Sequence, residues 1–105
     1  MILFSPSFKS GYNISMTAHA KITLSNATAT RITPNGTTSG IDFTIQNVDA
    51  AAYVYIGGED VTAANYGYRI APNNAIAFEL NGRDPLYAIS SVNGSAIATI
   101  KIGLE

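Results

Sequence analysis

His19 is the single histidine of the chain, cysteine is absent, and the carboxylates are Asp42, Asp49, Glu59, Asp60, Glu79, Asp84 and Glu105. Nucleophilic or general-base catalysis by His19 would need a nucleophile and an orienting carboxylate beside it. It stands instead between Ala18 and Ala20, a place for a surface or interface residue. One histidine without cysteine cannot assemble a hydrolytic zinc centre. Glu59-Asp60 is the sole adjacent acidic pair, and neighbours on a strand face opposite ways, unlike the paired carboxylates of a glycosidase. Gly57-Gly58-Glu59-Asp60 offers too few oxygens for calcium. It also lacks the Lys-Ser/Thr ending and following helix of a phosphate loop. These residues predict a non-enzymatic chain with no cofactor, no metal and no catalytic residues.

The remaining chemical resource is aromatic. Tyr53, Tyr55, Tyr66 and Tyr68 cluster in mid-chain, while Leu3, Phe4, Phe8 and Tyr12 stand in the N-terminal stretch. All eight are candidate interface residues, because tyrosine and phenylalanine lose much by staying in water and anchor protein contacts. On a strand, Tyr53 and Tyr55 share one face and Val54 and Ile56 the other. Two arrangements follow: the tyrosines form a surface patch over a Val54/Ile56 core, or they lie buried under the arm or the second sheet. Exposed tyrosines can also stack on sugars.

The 105 residues are 47% hydrophobic and only 12% charged, about half the charged fraction of roughly 25% usual in soluble domains. One domain fits this length. Six Lys and Arg are scattered singly against seven acids, which excludes the concentrated basic face that nucleic acid requires. No stretch approaches the roughly 18 apolar residues of a membrane span, and Met1–Phe4 is too short an apolar run for a signal peptide. Synthesis and assembly in the cytoplasm are expected. The Asn-X-Ser/Thr triplets beginning at Asn13, Asn26, Asn35 and Asn93 are attributed to a composition rich in those residues.

Residues 1–16 show no sustained period and are read as an extended N-terminal arm; residues 17–105 read as a β-sandwich domain. Strand patterns recur between turn signals. Ile22 and Leu24 alternate with Lys21 and Thr23, and residues 28–33 are rich in β-branched side chains. Ile41, Phe43 and Ile45 alternate with Asp42, Thr44 and Gln46, and Ile76, Phe78 and Leu80 form a further inward set. Residues 51–56, apolar on both faces, suit a central strand, and residues 66–70 suit a short one. Asn93-Gly94 reads as a two-residue hairpin turn. That hairpin would pair Tyr87 with Ile100 and Ile89 with Ala98. The expected fold is all-β: an antiparallel sandwich of about eight strands, jelly-roll-like.

Val54-Tyr55-Ile56-Gly57-Gly58-Glu59-Asp60-Val61-Thr62, then Tyr66-Gly67-Tyr68-Arg69-Ile70-Ala71-Pro72, and later Leu86-Tyr87-Ala88-Ile89, carry a resemblance. They resemble small β-rich virion structural proteins of tailed bacteriophages, over roughly residues 41–102. Asn73 follows Pro72 where that pattern expects glycine. The resemblance implies a virion part: a capsid decoration or cement protein bound to the major capsid protein or another virion protein, as a homo-oligomer. A neck or tail component of the virion is the nearest alternative, and a carbohydrate-binding module using the tyrosines the more distant one.

Overall fold

The alternation of Ile41, Phe43 and Ile45 with Asp42, Thr44 and Gln46 places the first three inside and leaves Asp42 and Gln46 exposed. These residues belong to β3 (Thr38–Asn47), the longest strand. The computed structural model describes residues 15–33, 38–82 and 85–104. In chain order the others are β1 (Ser15–Thr23), β2 (Thr30–Arg31), β4 (Val54–Gly57), β5 (Tyr68–Ile70), β6 (Ala75–Gly82), β7 (Tyr87–Ser90) and β8 (Ala96–Leu104). No helix occurs among the described residues. The expected all-β sandwich is therefore what this chain forms.

Two four-stranded sheets result, β1-β8-β3-β6 (sheet A) and β2-β7-β4-β5 (sheet B), with every pairing antiparallel. Only β4 and β5 are both consecutive and paired; the other connections pass between sheets or across them. Eight strands distributed this way make a jelly roll. Ile41, Phe43, Ile45, Leu80 and Ile97 of sheet A meet Val54, Ile56, Ile70 and Ala88 of sheet B, with Leu24 and Ile32 closing the cluster. Each large aliphatic side chain so buried contributes about 1.5–3 kcal/mol.

One sequence expectation changes here. Asn93-Gly94 does not close a hairpin: β7 pairs with β2 and β4, whereas β8 pairs with β1 and β3. Gly94 alone of the two has positive φ (90°), and Ser95 N–H donates to Val92 C=O at 3.3 Å. That combination is a type II turn, not the type I′ turn of a two-residue hairpin. The turn is anchored sideways, since Gly94 N–H donates to Leu24 C=O at 2.9 Å and Leu24 N–H to Ser95 C=O at 2.7 Å. It carries the chain from one sheet to the other. Ile97 and Thr99 consequently face the core while Ile100 turns outward.

The expected strand over 28–33 shrinks to two residues, Thr30 and Arg31. β1 begins at Ser15, two residues inside the stretch read as arm.

Candidate functional site

Sheet B carries the tyrosines because β4 is flanked on both sides. Val54 and Ile56 are fully buried and turn Tyr53 and Tyr55 to the outer face. Tyr55 lies directly opposite Arg69 of β5 and Ile89 of β7. The β4–β5 connection folds back tightly: Thr62 Oγ1 accepts from Ala64 N–H and Asn65 N–H at 3.2 and 2.9 Å, and Gly67 N–H donates to Ile56 C=O at 2.8 Å. This return sets Tyr66 beside Tyr55, with ring centroids 4.9 Å apart and planes inclined by 47°. The Arg69 guanidinium sits 4.8 Å above the Tyr53 ring. A tilted aromatic pair is worth about 0.5–1.5 kcal/mol, and an exposed cation–π contact about 0.5–1 kcal/mol.

Of the mid-chain candidates, Tyr53, Tyr55 and Tyr66 come together and Tyr68 does not. Tyr68 pairs with Ile56 and so points to the opposite side of the sheet, exposed at its edge. Leu3, Phe4, Phe8 and Tyr12 lie outside the described residues. Arg69 was not a sequence candidate. Its place two residues past Gly67 on a strand facing Tyr55 is the signal that could have marked it.

Asp49 and Asn47 form a second polar centre that sequence reasoning passed over. Asp49 Oδ1 accepts from Ala51 N–H and Ala52 N–H at 2.7 and 2.8 Å, and Ser95 Oγ donates to Asp49 Oδ2 at 3.2 Å. The two backbone donors are the main reason the Asp49 carboxyl is held below its ordinary pKa; Ser95 adds to the effect and partial burial opposes it. A lowered native pKa contributes stability at pH above the unfolded value, lost as pH falls from about 4 through the native value. Thermal melts from pH 5 to pH 2 are expected to show wild type losing its advantage over Asp49→Asn across that window. An advantage unchanged by acid would contradict this role.

A cavity of about 250 Å³ opens between the sheets where nine-residue β1 faces two-residue β2. Ala18, Ala20, Ile22, Ile32 and Phe43 supply apolar wall, with Arg31, Thr33, Thr99 and Lys101 among the polar lining. Among the described residues no carboxylate lines it, and His19, paired with the outward-facing Ile100, stands on the side of β1 away from the core. Among the described residues no three of His, Asp and Glu converge as metal ligands.

The chain is thus an all-β sandwich with an aromatic–arginine group on the outer face of sheet B. No family model and no curated protein matches the chain. A solved structure described as Bacillus endospore appendages, a novel family of disulfide-linked pili, matches with a TM-score of 0.53. It is 14% identical, over 95% of this chain and 97% of that one. The likeness is one of fold.

That neighbour is a bacterial appendage protein, and it overturns the expectation of a bacteriophage capsid decoration protein. A major capsid protein as partner has no support. The motifs behind that expectation serve local geometry. A Cβ on Gly57 would come within 3.2 Å of Val61 Cγ2 and 3.4 Å of the Gly67 nitrogen, so the "Ile-Gly" and "Gly-Tyr" glycines reflect a tight β4–β5 return. In Ala71-Pro72-Asn73-Asn74, Asn73 takes φ 63° and Asn74 N–H donates to Ala71 C=O at 3.1 Å. Asparagine there fills the glycine position of a type II turn.

Proposed function

We propose that this chain is a non-enzymatic structural subunit that associates non-covalently with copies of itself, using the outer face of sheet B as a contact. The observation that carries the reading is the preformed group of Tyr53, Tyr55, Tyr66 and Arg69, with Tyr66 43% exposed. Tyrosine and arginine are the residue types that concentrate binding energy at interfaces, and contacts already made among them lower the cost of ordering them on association. The likeness to a pilus protein supports an assembling role. This chain has no cysteine, so its assembly cannot be disulfide-linked. Leu3, Phe4, Phe8 and Tyr12 would add apolar contact from the N-terminal stretch.

Sedimentation velocity of the full chain over a concentration series tests the reading. Species larger than the monomer are expected, and Tyr53→Ser with Tyr66→Ser is expected to weaken their formation by about tenfold or more, the loss of one strong contact site. Wild-type protein that stays monomeric throughout would refute it.

A further inference from the structure

The Tyr55 and Tyr66 rings stand 4.9 Å apart between centroids and 47° from parallel, a separation at which aromatic rings are in contact. The backbone sets that distance. Gly67 N–H donates to Ile56 C=O at 2.8 Å, and a Cβ on Gly67 would come within 3.3 Å of the same oxygen. Thr62 N–H donates to Asn65 C=O at 2.8 Å and Asn65 N–H to Thr62 C=O at 3.2 Å, while Val61 is buried beneath the return. Tyr66 is thereby carried back beside the strand that holds Tyr55. Tyr66 is 43% exposed and Tyr55 half-buried, so an external oxidant has access to the pair.

We propose that Tyr55 and Tyr66 are a site of oxidative cross-linking, joined within one chain as dityrosine by a peroxidase-class one-electron oxidant that consumes hydrogen peroxide. Each phenol gives up one electron and its hydroxyl proton, leaving a phenoxyl radical with spin on the carbons ortho to oxygen. The two radicals couple through one such carbon from each ring. Each coupled carbon then releases its hydrogen as a proton while its phenolic oxygen regains one. One C–C bond thus replaces two aromatic C–H bonds. The two electrons and two protons removed reduce one hydrogen peroxide to two waters.

Proximity selects the pair. Two radicals held in contact couple at an effective concentration far above that of a second chain in dilute solution. Tyr53 is less suited, because the Arg69 guanidinium 4.8 Å from its ring centre opposes removal of an electron from that ring. Tyr68, level with Ile56, points to the other side of the sheet. The link closes residues 55–66 into a loop and restricts the unfolded chain as a disulfide does. A chain without cysteine gains by it a covalent closure that no thiol reductant opens. The site belongs to the single chain and does not depend on the self-association proposed above.

The test treats the full chain, dilute enough to be monomeric, with a haem peroxidase and hydrogen peroxide, beside free tyrosine as a control for the oxidant. Mass spectrometry is expected to find a monomer that has lost two hydrogen atoms, and the product is expected to show dityrosine fluorescence. A protease cutting after acidic residues severs the chain at Glu59 and Asp60, between the two tyrosines. The flanking peptides are expected to stay joined, Tyr55 to Tyr66. Tyr55→Phe and Tyr66→Phe keep the ring and remove the oxidisable hydroxyl, and each is expected to abolish the link. Tyr53→Phe and Tyr68→Phe are expected to leave it. Conversion of the free tyrosine with Tyr55 and Tyr66 left unlinked would overturn the site. So would cross-links formed chiefly between chains, or a link that survives both Tyr55→Phe and Tyr66→Phe. A chain that cross-links in this way yet never self-associates would leave the site standing and remove only the assembling role.

Discussion

Asn47→Leu is expected to lower the unfolding free energy by roughly 3 kcal/mol or more, a large share of the 5–15 kcal/mol typical of a domain. Asn47 is fully buried at the end of β3, and its amide nitrogen reaches across the sandwich while its amide oxygen holds the local turn. Its Nδ2 donates to Ala52 C=O at 2.8 Å and to Ile70 C=O at 3.1 Å, and its Oδ1 accepts from Asp49 N–H at 3.1 Å. One side chain of sheet A thereby fixes the approach to β4 and the end of β5 in sheet B. Leucine has similar bulk, so the cavity cost is small. The loss comes from two buried carbonyls left without donors, at about 1–3 kcal/mol each.

Asn47→Asp adds a sign test. An ionised carboxylate there would face two carbonyl oxygens with no proton to offer, so its native pKa must rise above the unfolded value. A raised native pKa means that stability is retained below the unfolded pKa and lost as pH rises through the native one. The aspartate variant is therefore expected to be closer to wild type at pH 4 than at pH 7. Urea melts at the two values check this. A loss under about 1 kcal/mol for the leucine variant would show that Asn47 does not bridge the sheets.

Ile97→Ala is expected to cost about 2–5 kcal/mol and Ile100→Ala less than about 1 kcal/mol. Three residues apart on β8, they stand on opposite faces: Ile97 is wholly buried in the core cluster, whereas Ile100 looks outward. Equal costs, or the reverse order, would mean that β8 is turned over. Denaturant midpoints at matched slopes give the comparison directly.

The same strand shows where sequence reading stops. β3 and β6 were legible, because Ile41, Phe43 and Ile45 alternate with polar residues and Ile76, Phe78 and Leu80 repeat at the same period. Burial follows that alternation, complete for the first set and Leu80 and partial for Ile76 and Phe78. β4 was legible too: the buried pair Val54 and Ile56 leaves the tyrosine patch outside, the first of the two arrangements open from sequence. β8 runs Ala96-Ile97-Ala98-Thr99-Ile100, apolar on both faces, so alternation could not say which face is the core. Asn93-Gly94 then invited a hairpin, although the type II turn it forms hands the chain to the other sheet.

Other features escaped for different reasons. β2 contracts to two residues because it meets only β7, at the edge of its sheet. The Asn47 bridge depends on residues 5 and 23 positions away, beyond the reach of a local pattern. For the candidate site, the tyrosines were visible by type. Their sorting into Tyr53, Tyr55 and Tyr66 on one side and Tyr68 on the other depended on the β4–β5 register, and Arg69 entered by the same route. The capsid decoration reading rested on strand-and-turn residues, which any tight sandwich of this kind requires.

Negative-stain electron microscopy of the concentrated full chain, with and without a strong thiol reductant, is the most direct test that this is a non-covalently assembling structural subunit. Regular multimers, unchanged by reductant because the chain has no cysteine, are the expected result. A field of single particles of monomer size at every concentration would contradict it.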